Sequence, residues 1–371
     1  MTQILDVSST ASLSVPPLET VLQDIAARVQ IHDNFRIEHP DYQAFELPAE
    51  IVDRFVQLSS EQRLKYLVLH SRSFLYGIYY NASMRSALAR DSDVEQVASQ
   101  QNFENNTVLG VDPEFFERLH QSNAGSGYFE AGWTVLRHES DGTVAVQKGL
   151  TLHLDPDRHL ASGATTEIGN TIAVRMPKNL VQNGFYMAVG DAGIDRRFDP
   201  DAAATTVRVY FNYTPDGAIA VMSKLTQQLN AIQVPFSFKT LYNPSDYERY
   251  DSGVLYFNQS DYSVVWQVLK AVYAETQVYF QPEIPLFTKL LASGVGLAEE
   301  PKQKFAAQES FGMNRCQIVA QGLIAAQQSG DTSPKANLHA ILQAFATHQI
   351  CCEKPYLNPD SDDVYLPLQP C

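Results

Sequence analysis

The chain has 371 residues, with 42 acidic and 27 basic side chains and a formal net charge of -15. A hydrophobic content of 44% and a charged content of 19% are those of an ordinary folded protein and exclude general disorder. The acidic balance argues against a nucleic-acid binder or a partner of anionic membranes, which need a broad basic face, but it leaves room for one small anion site.

The opening stretch, MTQILDVSSTASLSVPPL, has no basic residue and no long apolar run. It reads as a flexible leader (1–17) and not as a secretory signal. No stretch approaches the ~20 apolar residues of a membrane span. Cys316, Cys351, Cys352 and Cys371 form no C-x-x-C pair, and their scarcity elsewhere suits a reducing cytoplasm. The expectation is a soluble cytoplasmic protein.

Leu18, Val21, Leu22, Ile25 and Val29 recur at helical spacing. A second helix opens at Ser59, where Ser59 and Gln62 suit a capping box, and runs through LKYLVLHSRSFLYGIYYN. A third opens at Asp112-Pro113. Residues 18–121 thus read as mostly helical. The pattern then changes. WTVLR, a turn at Asp141-Gly142 and TVAVQK read as a hairpin, followed by TIAVRM and GFYMAV as strands. TTVRVYFNY alternates with period two, placing Val207, Val209 and Phe211 on one face and Arg208, Tyr210 and Asn212 on the other. A helix is expected from Pro215 to Ile232, then strands in VPFSFKTLY and SGVLYF, then a long helix in DYSVVWQVLKAVYAETQVYF. Two more helices are expected at 302–328 and 334–350. The fold class is α+β, with a helical N-terminal part followed by a mainly antiparallel sheet flanked by helices. The divisions are 1–17, 18–125, 126–350 and a C-terminal tail, 351–371.

No phosphate-loop, H-E-x-x-H or G-x-S-x-G pattern is present. Gly294-Val-Gly296 lacks a third glycine and follows a helical pattern, so it suggests no dinucleotide site. His153 and His159 have no matching carboxylate pattern for a metal, and Asp155 and Asp157 lack the rest of a calcium loop. No metal and no cofactor is expected.

One stretch departs from the acidic background. Residues 175–249 hold eight basic and seven acidic residues, a net of +1, against 19 basic and 35 acidic in the remainder. Arg208 and Tyr210, two apart on a strand, point the same way at ~6.8 Å. Lys239 lies in an apolar, aromatic strand. It either snorkels to an edge or is held in a partly desolvated site. Desolvation disfavours an ammonium, as a lysine general base requires. Arg249 and Tyr256 follow in YERYDSGVLYF, and arginine suits bidentate phosphate recognition.

Several stretches resemble the HopA-type effector family: type III effectors of plant pathogens and their bacterial relatives. They are KYLVLHSRSFLYGIYYN, NAGSGYFEAGWTVLR, VQKGLTLHL, MPKNLVQNGFYMAVG, VRVYFNYTPDGAIAVM, VPFSFKTLYNPSDYERYDSGVLYF and ESFGMNRCQIVAQGL, spanning roughly residues 20–330. The resemblance implies that 126–350 is a HopA-like lyase domain. Such domains serve class V lanthipeptide and thioamitide pathways. There a separate kinase-like protein phosphorylates a precursor peptide, and the domain eliminates phosphate to leave dehydroalanine or dehydrobutyrine. The family distantly resembles phosphothreonine lyases, which carry a Lys-x-His pair, then a Lys base, then an Arg and a Tyr. Arg208-x-Tyr210, Lys239, Arg249 and Tyr256 fall in that order.

The resemblance therefore implies Lys239 as base, Arg208 and Arg249 as phosphate ligands, and Tyr256 as an orienting group. Tyr210 stands where those lyases have a histidine acid. Either Tyr210 donates the proton, or a histidine enters the site (His153 is the first choice), or activity is weakened or lost. Arg315, in SFGMNRC, is either a further phosphate ligand or a helix-surface arginine. The expected partner is a phosphorylated precursor peptide or protein, with a kinase-like protein supplying it. The alternative is a catalytically degenerate, effector-like protein that binds a phosphopeptide or another protein.

Overall fold

The computed structural model describes residues 16–90, 111–193 and 205–368. Most of the expected leader, together with Arg196, Arg197 and Cys371, lies outside the described residues. No helix among the described residues is long and apolar enough to cross a membrane.

The N-terminal apolar periodicity makes helix α1 (Leu18–Arg28), which buries Leu22, Ile25 and Ala26. The chain then departs from the helical expectation. It forms three short antiparallel strands, β1 (Gln30–Ile31), β2 (Ile37–His39) and β3 (Tyr42–Phe45). Pro40 lies in the turn between the last two, where it breaks any helix and biases His39 to extended backbone. Helix α2 (Ala49–Val56) precedes α3 (Ser60–Leu75), which starts with both reciprocal bonds of the Ser59–Gln62 capping box. The aromatic run then widens into a π-helical turn, Tyr76–Tyr80. Helix α4 (Pro113–Ser122) opens with Asp112 accepting from the Phe115 amide at 2.9 Å.

Four antiparallel strands follow: β4 (Tyr128–His138), β5 (Val144–Lys148), β6 (Leu150–Leu154) and β7 (Thr171–Met176). Their order is β6-β5-β4-β7, and a helical turn α5 (Pro156–His159) links β6 towards β7. Trp133, Val135, Val146 and Val174 give this sheet its own apolar cluster.

The larger sheet has seven strands. They are β8 (Asn179–Gln182), β9 (Phe185–Val189), β10 (Thr206–Phe211), β11 (Ser237–Leu241), β12 (Gly253–Asn258), β13 (Lys289–Ala292) and β14 (Val295–Glu299). Helices α6 (Pro215–Ala231), α7 (Tyr262–Thr276), α8 (Phe311–Ser329) and α9 (Pro334–Thr347) complete the chain. The strand order is β13-β14-β10-β12-β11-β9-β8, antiparallel throughout. The fold is α+β, with antiparallel sheets flanked by helices.

Three elements differ from the sequence expectation. Gly294 and Gly296 belong to the β13–β14 hairpin, so a strand and not a helical pattern directly precedes them. Gly294 has φ +72°, and a Cβ there would lie 2.2 Å from the Gln281 carbonyl oxygen. Residues 302–310 are not helical, and α8 starts after Ser310, whose side chain accepts from the Met313 amide. Residues beyond 350 are docked: Lys289 Nζ donates to Asp363 and to the Tyr365 carbonyl, both at 2.7 Å, and Tyr365 and Leu368 are buried.

The alternation expected in β10 is present, but both of its faces are buried. On one face the aromatic Tyr186 of β9 meets Phe116 and His120 of α4, and Phe211 meets Phe280. On the other, Tyr210 meets Tyr80 of the π-helical turn and Phe311 of α8. That second face opens towards β8, where Leu180, Phe185, Met187, Lys239 and Tyr256 are only half-buried.

Candidate active site

The sheet register assembles the cluster. Arg208 of β10 lies opposite Tyr256 of β12. On the next rung of that face, Val254 lies between Tyr210 of β10 and Lys239 of β11. Directly opposed residues share a face, as do residues two apart, so Arg208, Tyr210, Tyr256 and Lys239 project together. The loop before β12 adds Arg249.

The cations have different surroundings. The Arg208 Nε donates to the Glu300 carboxylate, and its guanidinium carbon lies 5.1 Å from the centre of the Tyr256 ring. Arg249 holds Asp251 with two bonds, from Nε at 2.5 Å and from an Nη at 2.9 Å. Burial works to raise the Asp251 carboxyl, but Arg249 outweighs it and holds the group below the usual carboxylate range. Glu300 is held low in the same way by Arg208, against burial. Lys239 makes no hydrogen bond or ion pair among the described residues. Its Nζ lies 4.4 Å from the centre of the Phe185 ring and 5.7 Å from that of Tyr256.

The Tyr210 hydroxyl is buried with no hydrogen-bond partner among the described residues. Burial pushes its phenol well above the usual value, although Arg208 pulls the other way. Tyr80 is near enough to influence this titration but falls outside hydrogen-bonding geometry. Tyr210 is therefore a neutral phenol with its proton uncommitted. An orphaned polar group of this kind calls for an explanation.

Of the other two expected members, His153 is placed elsewhere, whereas Arg315 lies behind the cluster, its guanidinium carbon 5.0 Å from the centre of the Phe311 ring that also meets Tyr210. His153 projects from β6 of the smaller sheet, half-exposed, with Nδ1 3.3 Å from Glu139 Oε1. The structure does not bring it to the cluster, because its strand belongs to a different sheet. Arg315 is not a helix-surface arginine, being only 2% exposed. It donates to the carbonyls of Pro355 and Leu357 at 2.8 and 3.0 Å and to Asn314 Oδ1 at 2.6 Å. Desolvation lowers its pKa to about 10. It borders a cavity of ≈ 230 Å³ lined also by Lys304, His348 and Asn358. Its described bonds pin the C-terminal segment.

Sequence reasoning missed Asp251, Glu300, Phe185 and the π-helical turn's share of the site. Asp251 also accepts from Tyr76 Oη and Asn81 Nδ2, each at 3.2 Å. The run YGIYYN and the spacing Arg249-x-Asp251 were available signals. Nothing local marks Glu300 as a partner of Arg208, 92 residues away in sequence. The arrangement offers an amine with no carboxylate partner among the described residues, two arginines with N–H groups left over from their carboxylates, and a neutral buried phenol. It can bind an oxyanion and move a proton.

Residues 176–357 match the HopA1 effector protein family. This covers the larger sheet and α8, whereas the stretches at 65–81, 123–137 and 146–154 lie outside the match. Among solved structures, the effector protein from Pseudomonas syringae pv. tomato strain DC3000 is similar at 14% identity and TM-score 0.40, over 79% of this chain and 97% of that one. The effector protein from Pseudomonas syringae pv. syringae strain 61 is similar at 13% identity and TM-score 0.40, over 82% of this chain and 100% of that one. No curated protein matches. Residues 176–357, which include Arg208, Lys239 and Arg249, are therefore a HopA1 effector protein family region.

Proposed function

We propose that this protein is a phosphoserine/phosphothreonine lyase. It removes phosphate from a phosphorylated peptide by β-elimination and leaves dehydroalanine or dehydrobutyrine. The observation that carries the reading is the position of Lys239. It is an amine without a carboxylate partner among the described residues, and it shares a sheet face with Arg208, Tyr210 and Tyr256.

β-Elimination breaks the Cα–H bond and the Cβ–O bond and forms a Cα–Cβ double bond. Lys239, as the neutral amine, accepts the Cα proton. The phosphate carries ~1.5–2 negative charges and leaves against the remaining N–H groups of Arg208 and Arg249. Tyr210 gives its proton to the departing oxygen. Tyr256, whose ring lies against both Arg208 and Lys239, orients the group. The electrostatic stabilisation is built in before substrate arrives. In the lanthipeptide-like maturation that the sequence resemblance suggests, a kinase-like partner would supply the phosphopeptide.

A second reading has its own support. Glu300 and Asp251 already occupy Arg208 and Arg249, which suits an effector-like protein that binds a phosphopeptide or a protein without turning it over. Mass spectrometry of a phosphothreonine peptide separates the readings. Loss of phosphoric acid with a new alkene supports the lyase. An unchanged mass with saturable binding supports the binding protein. Loss of phosphate that regenerates the hydroxyl would sink both.

A further inference from the structure

Lys239 has no carboxylate partner among the described residues, yet a base must be held. Asp251 is within electrostatic reach of Lys239, but both of its oxygens are engaged by Arg249, Tyr76 and Asn81. Two aromatic rings lie against the ammonium instead, with Phe185 the nearer at 4.4 Å. Phe185 projects from β9 on the half-open side of the face, one rung along from Met187, which pairs with Lys239. The Arg249 guanidinium carbon lies 5.9 Å from the same ring's centre. A ring attracts a cation through its quadrupole with a strength well below that of a buried ion pair. It can therefore fix the direction of the protonated side chain while favouring the ammonium less than a carboxylate partner would.

We infer that Phe185 is a positioning residue, whose ring holds the Lys239 amine in place over the half-open face of the sheet. This takes its functional meaning from the lyase reading, but the contact can be tested without it. The probe is brief acetylation of the folded protein with acetic anhydride at one fixed pH, with modification of Lys239 quantified by mass spectrometry. Phe185→Leu keeps apolar bulk and removes the ring, while Phe185→Tyr keeps the ring. A cation–π contact of ordinary strength predicts labelling about fivefold faster in Phe185→Leu, with Phe185→Tyr matching the wild type. Circular dichroism checks folding, and Phe185→Met serves as the second ring-removing variant should Phe185→Leu not fold. Labelling in which Phe185→Leu matches the wild type, or in which Phe185→Tyr is as fast as Phe185→Leu, would overturn the inference. With a phosphothreonine peptide, Phe185→Leu should lower kcat at unchanged KM, and Phe185→Tyr should retain it. A wild type that labels in the expected pattern but eliminates no phosphate would sink the lyase reading and leave the positioning role standing.

Discussion

Tyr210 is the residue on which the two readings divide. Its buried hydroxyl has no hydrogen-bond partner among the described residues, an arrangement that costs stability. Replacing it by phenylalanine removes the orphan and keeps the ring that meets Tyr80 and Phe311. If Tyr210 is the proton donor, Tyr210→Phe should lower the elimination rate by about 10²–10⁴-fold. Urea unfolding of the same variant should show unchanged stability, or a gain of about 1 kcal/mol. A variant that eliminates phosphate as fast as the wild type removes Tyr210 from the chemistry. Lys239 was legible from sequence because a lysine in VPFSFKTLY breaks an apolar strand. Its company was only partly legible, since Glu300 and Phe185 reach the site through strand order and carry no local mark.

At the scale of elements, the site depends on how closely α8 and the π-helical turn approach the sheet. Gly312, in the first turn of α8, permits that approach: a Cβ there would stand 2.4 Å from two ring carbons of Tyr80. Tyr80 is itself 1% exposed and cannot swing away. Gly312→Ala should therefore destabilise the fold by about 1–3 kcal/mol, read from the urea midpoint, despite alanine's better helix propensity. No change in midpoint would mean that the two elements separate more easily than their packing implies. Periodicity, capping residues and turn glycines announced most helices, strands β4, β5 and β7, and the strands from β9 to β12. The β13–β14 hairpin was hidden, because LLASGVGL suits a buried helix or strand equally well. The last strand in the chain, β14, pairs with β10 in space and carries β13 on its outer edge, a crossover that no local pattern encodes. The same gap explains His153: its strand was unresolved in the sequence reading, so its membership of the smaller sheet was out of reach.

For the whole molecule, the charge of -15 sets the terms on which a phosphopeptide arrives. An acidic surface repels a free anionic ligand at long range, so the account favours substrates with basic flanks or delivery by a partner. Charge also sets the pH range of the fold. Asp251 and Glu300 have lowered carboxyl pKa values, so the stability they contribute is present above the unfolded-state value and is lost as pH falls below about 4. Burial raises the phenols of Tyr76, Tyr80, Tyr210 and Tyr213. Their contribution is present below the unfolded-state value and is lost as pH climbs past about 10. Urea midpoints across pH should form a plateau between these limits, and a maximum outside them would contradict the assignment of these groups. The central claim is that Lys239 takes a proton from the carbon next to a phosphorylated side chain. Its most direct measurement is the mass and ultraviolet absorbance of a phosphothreonine peptide with basic flanks, incubated with wild type or with folded Lys239→Ala. The account predicts loss of phosphoric acid and a new conjugated alkene with the wild type and neither with the variant. Equal elimination by both proteins would contradict it.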